Sequence, residues 1–69
     1  MSDSVYKVIE IVGTSPESWD KAAANAVARA AGSLRDLRVA EVSEQDLVIE
    51  NNAVKLYRTR LKISFKFED

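Results

Sequence analysis

Two sets of side chains in this 69-residue sequence could do chemistry. The first is cationic. Arg58, Arg60, Lys62 and Lys66 recur at even positions of residues 54–67, while Tyr57, Thr59, Leu61, Ile63, Phe65 and Phe67 fill the odd ones. Such a row on one side of a strand either lines a site for an anion, its field adding up across copies, or forms a solvated face balanced by Glu41 and Glu44. The second set is Glu44 and Asp46, two apart and therefore on one side of a strand, offering the hard oxygens that calcium takes. Calcium wants about six to eight oxygens, so carbonyls, water or a neighbouring chain would have to complete that set. The alternative is a charged strand edge that resists aggregation.

The residue types that are missing narrow the chemistry further. With no cysteine and no histidine, there is no disulfide and no thiolate or imidazole metal site. No nucleophile–base pair, glycine-rich phosphate loop or suitably spaced second carboxylate accompanies Glu10, so the chain is not expected to be an enzyme. Glu10 reads instead as an ion-pair or interface partner of the basic row. Ten basic against eleven acidic residues give a net charge of −1, which argues against a nucleic-acid binder. No long apolar run points to a membrane, and a cytoplasmic location is expected.

The elements that must position these groups follow from periodicity. Residues 5–12, V-Y-K-V-I-E-I-V, are rich in β-branched types and read as a first strand that Gly13 ends. Ser15, Pro16 and Glu17 then read as cap, first turn and dipole partner of a helix. Trp19, Ala22, Ala23, Ala26, Val27, Ala30 and Leu34 give it one apolar stripe, about eighteen residues long, with Gly32 at its fraying end. Trp19 on that stripe reads as core or interface rather than a ligand platform. Residues 37–50 read as a second strand, Asn51-Asn52 as a tight turn, and residues 54–67 as the third strand.

A hairpin centred on that turn sets Val39 opposite Ser64, Glu41 opposite Lys62 and Gln45 opposite Arg58 on one face, with Ala40 opposite Ile63 and Val42 opposite Leu61 on the other. The expected fold is α+β: a single domain over residues 1–69, β-α-β-β, with a three-stranded antiparallel sheet in order 1-3-2 and a right-handed crossover. Strands of fourteen residues span ~46 Å and an eighteen-residue helix ~27 Å, so the hairpin overhangs its helix. Leu47, Ile49, Val54 and Leu56 are expected to form an apolar cluster on that overhang, on the face of the arginines. A chain this short buries a small core, and covering the cluster with further copies is the remaining way to stabilise it.

The run V-Y-K-V-I-E-I-V-G-T-S-P, the helix after it and the closing L-K-I-S-F-K-F-E resemble the dodecin family over essentially the whole chain. The resemblance implies subunits whose sheet partly wraps one helix, assembled as hollow homododecamers that bind small cofactors, usually flavins, without catalysis. It also implies a cofactor site: a tryptophan early in the second strand stacks on the flavin ring, and a glutamine in the third strand hydrogen-bonds it. Those positions hold Val39 and Arg58 here, and the register above adds Gln45 beside Arg58. Valine lacks the stacking surface, and arginine, which only donates, cannot reproduce an amide's paired contacts. The flavin site is therefore expected to be degraded. Arg38-Val39-Ala40 and Glu44-Gln45-Asp46 look like the tryptophan-less calcium dodecins, which makes Glu44 and Asp46 the expected metal residues. A cofactor-free structural assembly, or a weak flavin store, is the alternative.

Overall fold

The computed structural model describes residues 5–66. Strand β1 (Tyr6–Ser15) leads to helix α1 (Trp19–Ala31), then to β2 (Leu37–Glu50) and β3 (Ala53–Lys66). The sheet order is β1-β3-β2, and β3 runs antiparallel to both neighbours, as the sequence implies. Phe67, expected at the end of the third strand, lies outside the described residues. Asn51 and Asn52 take φ of 54° and 60°, the left-handed pair that a two-residue hairpin turn requires.

Gly13 does not end β1. It lies inside the strand, where the helix backbone comes closest to the sheet. A Cβ there would overlap the Ala22 carbonyl oxygen and stand 2.9 Å from the Ala26 Cβ. The alanine stripe is the other half of this approach, since Ala22, Ala26 and Ala30 are buried and present nothing larger than a methyl. The helix also begins later than expected. Ser18, not Ser15, is the N-cap, its Oγ accepting the Lys21 N–H at 3.0 Å. Ser15 is still in the strand, and its Oγ accepts the Glu17 N–H in the turn between them. The helix stops at Gly32, with Leu34 packing on the core from beyond it.

Thirteen residues make α1 about 20 Å long, shorter than the expected eighteen-residue helix. It packs on β1 and β3. Ile9 and Ile11 from β1, with Leu61 and Ile63 from β3, meet Ala23, Ala26, Val27 and Ala30. Among the described residues, Leu61 and Ile63 are the only large apolar side chains fully buried. Strand β2 lies beside the core rather than under the helix, so even Ala40 and Val42, paired with Ile63 and Leu61, stay exposed.

Gly13→Ala should lower the unfolding free energy by about 1–3 kcal/mol, because helix and sheet must move apart. At Gly32, φ is −72° and a Cβ would meet no atom closer than 3.4 Å, so Gly32→Ala should change stability by less than about 1 kcal/mol. Urea denaturation of the two variants tests the contrast.

Candidate functional site

Pairing between β2 and β3 is interrupted three times, and the middle interruption decides which side chains share a face. From Val39↔Ser64 to Val42↔Leu61 the register is the one the turn sets, but Glu44 then pairs with Arg60, Gln45 with Thr59 and Asp46 with Arg58. Ser43 is the extra residue, a β-bulge tied to β3 by its Oγ donating to the Arg60 carbonyl at 3.3 Å. A one-residue slip moves every later side chain of β2 to the opposite face. The expected Gln45–Arg58 pairing is thereby corrected. Gln45 lies on the helix side with Thr59, and Asp46 takes its place opposite Arg58. The overhang cluster is split the same way: Leu47 pairs with Tyr57 on the helix side, while Val48 pairs with Leu56 on the outer face. Ile49 and Val54, 63% and 48% exposed, face each other near the turn.

The bulge leaves an ordered rank of charge on the sheet face turned away from α1. Across the strands the rows read Glu10–Lys62–Glu41, Val12–Arg60–Glu44 and Thr14–Arg58–Asp46. Arg58 grips Asp46 with both arms of its guanidinium, Nε to Oδ1 and the second nitrogen to Oδ2, each at 2.7 Å. Arg60 reaches Glu44 through Nε alone, at 3.1 Å. Glu10, Ser43, Glu44, Arg60 and Lys62 line a shallow recess of about 350 Å³ on this face. Glu10 stands opposite Lys62, in the row where an ion-pair partner of the basic side chains was expected.

Behind the rank, on the helix side, the Trp19 Nε1–H donates to the Asp46 carbonyl at 3.0 Å. The indole meets the Tyr57 ring edge-on at 5.2 Å, and Thr59 donates its Oγ1–H to the Trp19 carbonyl. Asp46 therefore joins Arg58 on one face to the start of α1 on the other. Its carboxyl is held below the ordinary carboxylate range, mainly by the hydrogen bonds from Arg58, and Arg58 is raised in turn by the same bonds.

Val39 and Arg58 do share the outer face, but within one chain they are not together. Their partners on β3, Ser64 and Arg58 itself, are six residues apart, about 20 Å along the strand. Val39 borders a small apolar niche of about 240 Å³, lined also by Val27, Leu37 and Ile63. Neither position, with Gln45 on the far side, makes a flavin pocket in a single copy. The carboxylates of Glu44 and Asp46 fit calcium in kind but not in number. Among the described residues no three acidic, histidine or cysteine side chains gather into a metal-binding group, and both carboxylates are already held by arginine.

Comparison with known proteins assigns this architecture. The family model described as Dodecin matches residues 5–68. The chain belongs to the dodecin family. It is 56% identical to the calcium dodecin of Mycobacterium tuberculosis over 63 residues, which is 91% of this chain and 89% of that protein. It is 42% identical to the dodecin of Thermus thermophilus over 65 residues, 94% of each. Among solved structures, dodecin from Streptomyces coelicolor superposes with a TM-score of 0.94 at 42% identity, covering 100% of this chain and 99% of that one. The M. tuberculosis calcium dodecin, described as a calcium-chelating antigen with a novel calcium-binding site, superposes with a TM-score of 0.85 at 54% identity, over 94% and 93%. The three antiparallel strands in order 1-3-2 and the single helix are thus the dodecin fold. No helix among the described residues is long and apolar enough to cross a membrane.

Arg58→Ala should raise the Asp46 titration midpoint toward that of a free aspartate, because the hydrogen bonds that chiefly lower it are lost. Because the folded value is depressed, the stability that this carboxylate contributes is complete above about pH 3.9 and is lost as pH falls through the lowered folded value. Carboxyl-carbon NMR titration of both proteins gives the two midpoints directly.

Proposed function

We propose that this dodecin is a non-catalytic binding protein that takes up a small ligand or ion, with calcium as its ion, inside a homododecamer of identical subunits in the cytoplasm. The observation that carries the reading is the uncovered apolar surface. Val39 at 62% exposure on the outer face, Val42 and Leu47 on the helix side, and Ile49 at 63% with Val54 near the turn are all left uncovered by the same chain. Further copies remove such surfaces from water, and symmetric packing around them creates the cavity in which separated residues meet. The kinship with a calcium dodecin at 56% identity supports calcium as the ion.

In this reading Glu44 and Asp46 are the chain's contribution to the calcium site, with the oxygens they lack supplied by other copies, carbonyls or water. The cofactor-binding positions Val39, Gln45 and Arg58 are joined only across subunits. Flavin binding is weak because Val39 offers no stacking surface and Arg58 is engaged by Asp46. The basic row is balanced in the same way, since Arg58 and Arg60 already hold carboxylates.

Light scattering of the purified protein should give a mass near twelve subunits, and a stable monomer in dilute buffer would sink the proposal. Ile49→Asp should dissociate the assembly and remove about 2.7 kcal/mol of apparent stability, the linkage expected where subunits stand a hundredfold above their dissociation constant. Calorimetric titration with calcium after chelator treatment should show uptake. Riboflavin fluorescence should be quenched only weakly, and more than about tenfold more tightly in Val39→Trp/Arg58→Gln.

A further inference from the structure

We propose that residues 44–48 form a register cassette: a stretch of β2 held one step out of the hairpin's own register by its ion pairs to Arg58 and Arg60, and able to slip back into it. The turn at Asn51-Asn52 sets Glu50 opposite Ala53 and Ile49 opposite Val54. Beyond them Val48 pairs with Leu56, so Lys55 is an extra residue on β3; at the other end of the stretch Ser43 is the extra residue on β2. The two bulges lie on opposite strands and cancel, and Val42↔Leu61 and Ala40↔Ile63 are back in the register of the turn. A one-step slip of residues 44–48 therefore removes both bulges together. It disturbs neither the turn nor the end of the hairpin that carries the core.

Charge holds the cassette out. In the observed register Asp46 and Glu44 accept from Arg58 and Arg60 at 2.7 and 3.1 Å. Slipped, the same arginines face Gln45 and Ser43, while Asp46 and Glu44 turn to the helix side, opposite Tyr57 and Thr59. Each bulge has one further tie, Ser43 to the Arg60 carbonyl at 3.3 Å and Lys55 to Glu50 at 3.1 Å. All of these contacts are exposed, and exposed pairs contribute little beyond the forked one. Against them stand the ladder bonds that two bulges interrupt, so the two registers lie close in energy. Slipping also changes the outer face. Its acids fall to Glu10 and Glu41 while Arg58, Arg60, Lys62 and Lys66 stay, so the slipped register is cationic and is the one that an anionic group selects. None of this rests on what the assembly takes up.

The sequence has no cysteine, so introduced pairs report the register without background. Val48 stands opposite Leu56 on the outer face and Leu47 points to the helix side; in the slipped register Leu47 takes the place opposite Leu56. In the full chain, with assembly checked by light scattering, Val48→Cys/Leu56→Cys should form its intrachain disulfide at least about tenfold faster than Leu47→Cys/Leu56→Cys. Adding Glu44→Gln/Asp46→Asn should move the ratio of the two rates about tenfold toward the second pair. Raising the ionic strength to about 1 M, which needs no substitution in the cassette's ion pairs, should move it the same way by about twofold. Exchanging one pair, Asp46→Arg with Arg58→Asp, should keep the original ratio. An amide variant and a high-salt protein that both keep that ratio would overturn the inference, leaving the register to the bulges themselves. Equal rates for the two cysteine pairs in the otherwise unaltered chain, or an exchanged pair that behaves like the amide variant, would overturn it as well.

Discussion

A helix about 20 Å long cannot cover a hairpin about 46 Å long, and this mismatch governs the molecule. The folded chain extends 55 Å along one axis and only 20 and 15 Å along the others. Rather than spread its cover, the helix concentrates it on β1 and β3, where alanines and Gly13 let the backbones approach until Leu61 and Ile63 are sealed. That choice makes a small, dense core and leaves β2 bare. The polar contacts that steady the helix start, from Ser18, Thr59 and the Trp19 indole, stand at the border of the covered region. Past that border the hairpin is held by its own ladder, by the Glu50–Lys55 pair near the turn and by the ranked charges of the outer face.

Much of this was legible in the amino-acid order. The bounds of β2, the turn at Asn51-Asn52, the strand order and the buried alanine stripe all follow from periodicity and turn chemistry. The helix start was misread because Ser15 and Ser18 both precede an acidic residue by two positions. Only the depth to which β1 runs, set by the close approach at Gly13, decides between them. Gly13 read as punctuation, since a sequence does not say that another backbone lies against it.

The candidate site was less legible, for one reason. Its composition follows from the bulge at Ser43, and a uniform hairpin register cannot contain a bulge. A signal was nevertheless present. Apolar residues of β2 stand at both parities, but the acids move from odd Glu41 to even Glu44 and Asp46. That pattern slips by one within a few residues, as an inserted residue requires. That slip puts Asp46 opposite Arg58 and sends Gln45 to the helix side. The Trp19 link to the Asp46 carbonyl left no such trace, because a backbone acceptor carries no residue type.

The bulge also changes what an arginine at position 58 means. On an unbulged strand Arg58 would face Gln45, a neutral amide, and its charge would be free for a ligand; the four basic side chains of β3 would then add into a field around any symmetric axis. With Ser43 inserted, the outer face carries Glu10, Glu41, Glu44 and Asp46 in the same rows as Arg58, Arg60, Lys62 and, at the end, Lys66. Four acids interleaved with four bases leave no net charge to sum, so copies can turn this face toward one another without accumulating repulsion. A neutral, internally paired face has little intrinsic pull on an anion. Whatever it binds must instead break a pair, and the energy of the ion pairs, not the bare charge of the row, is what sets selectivity there.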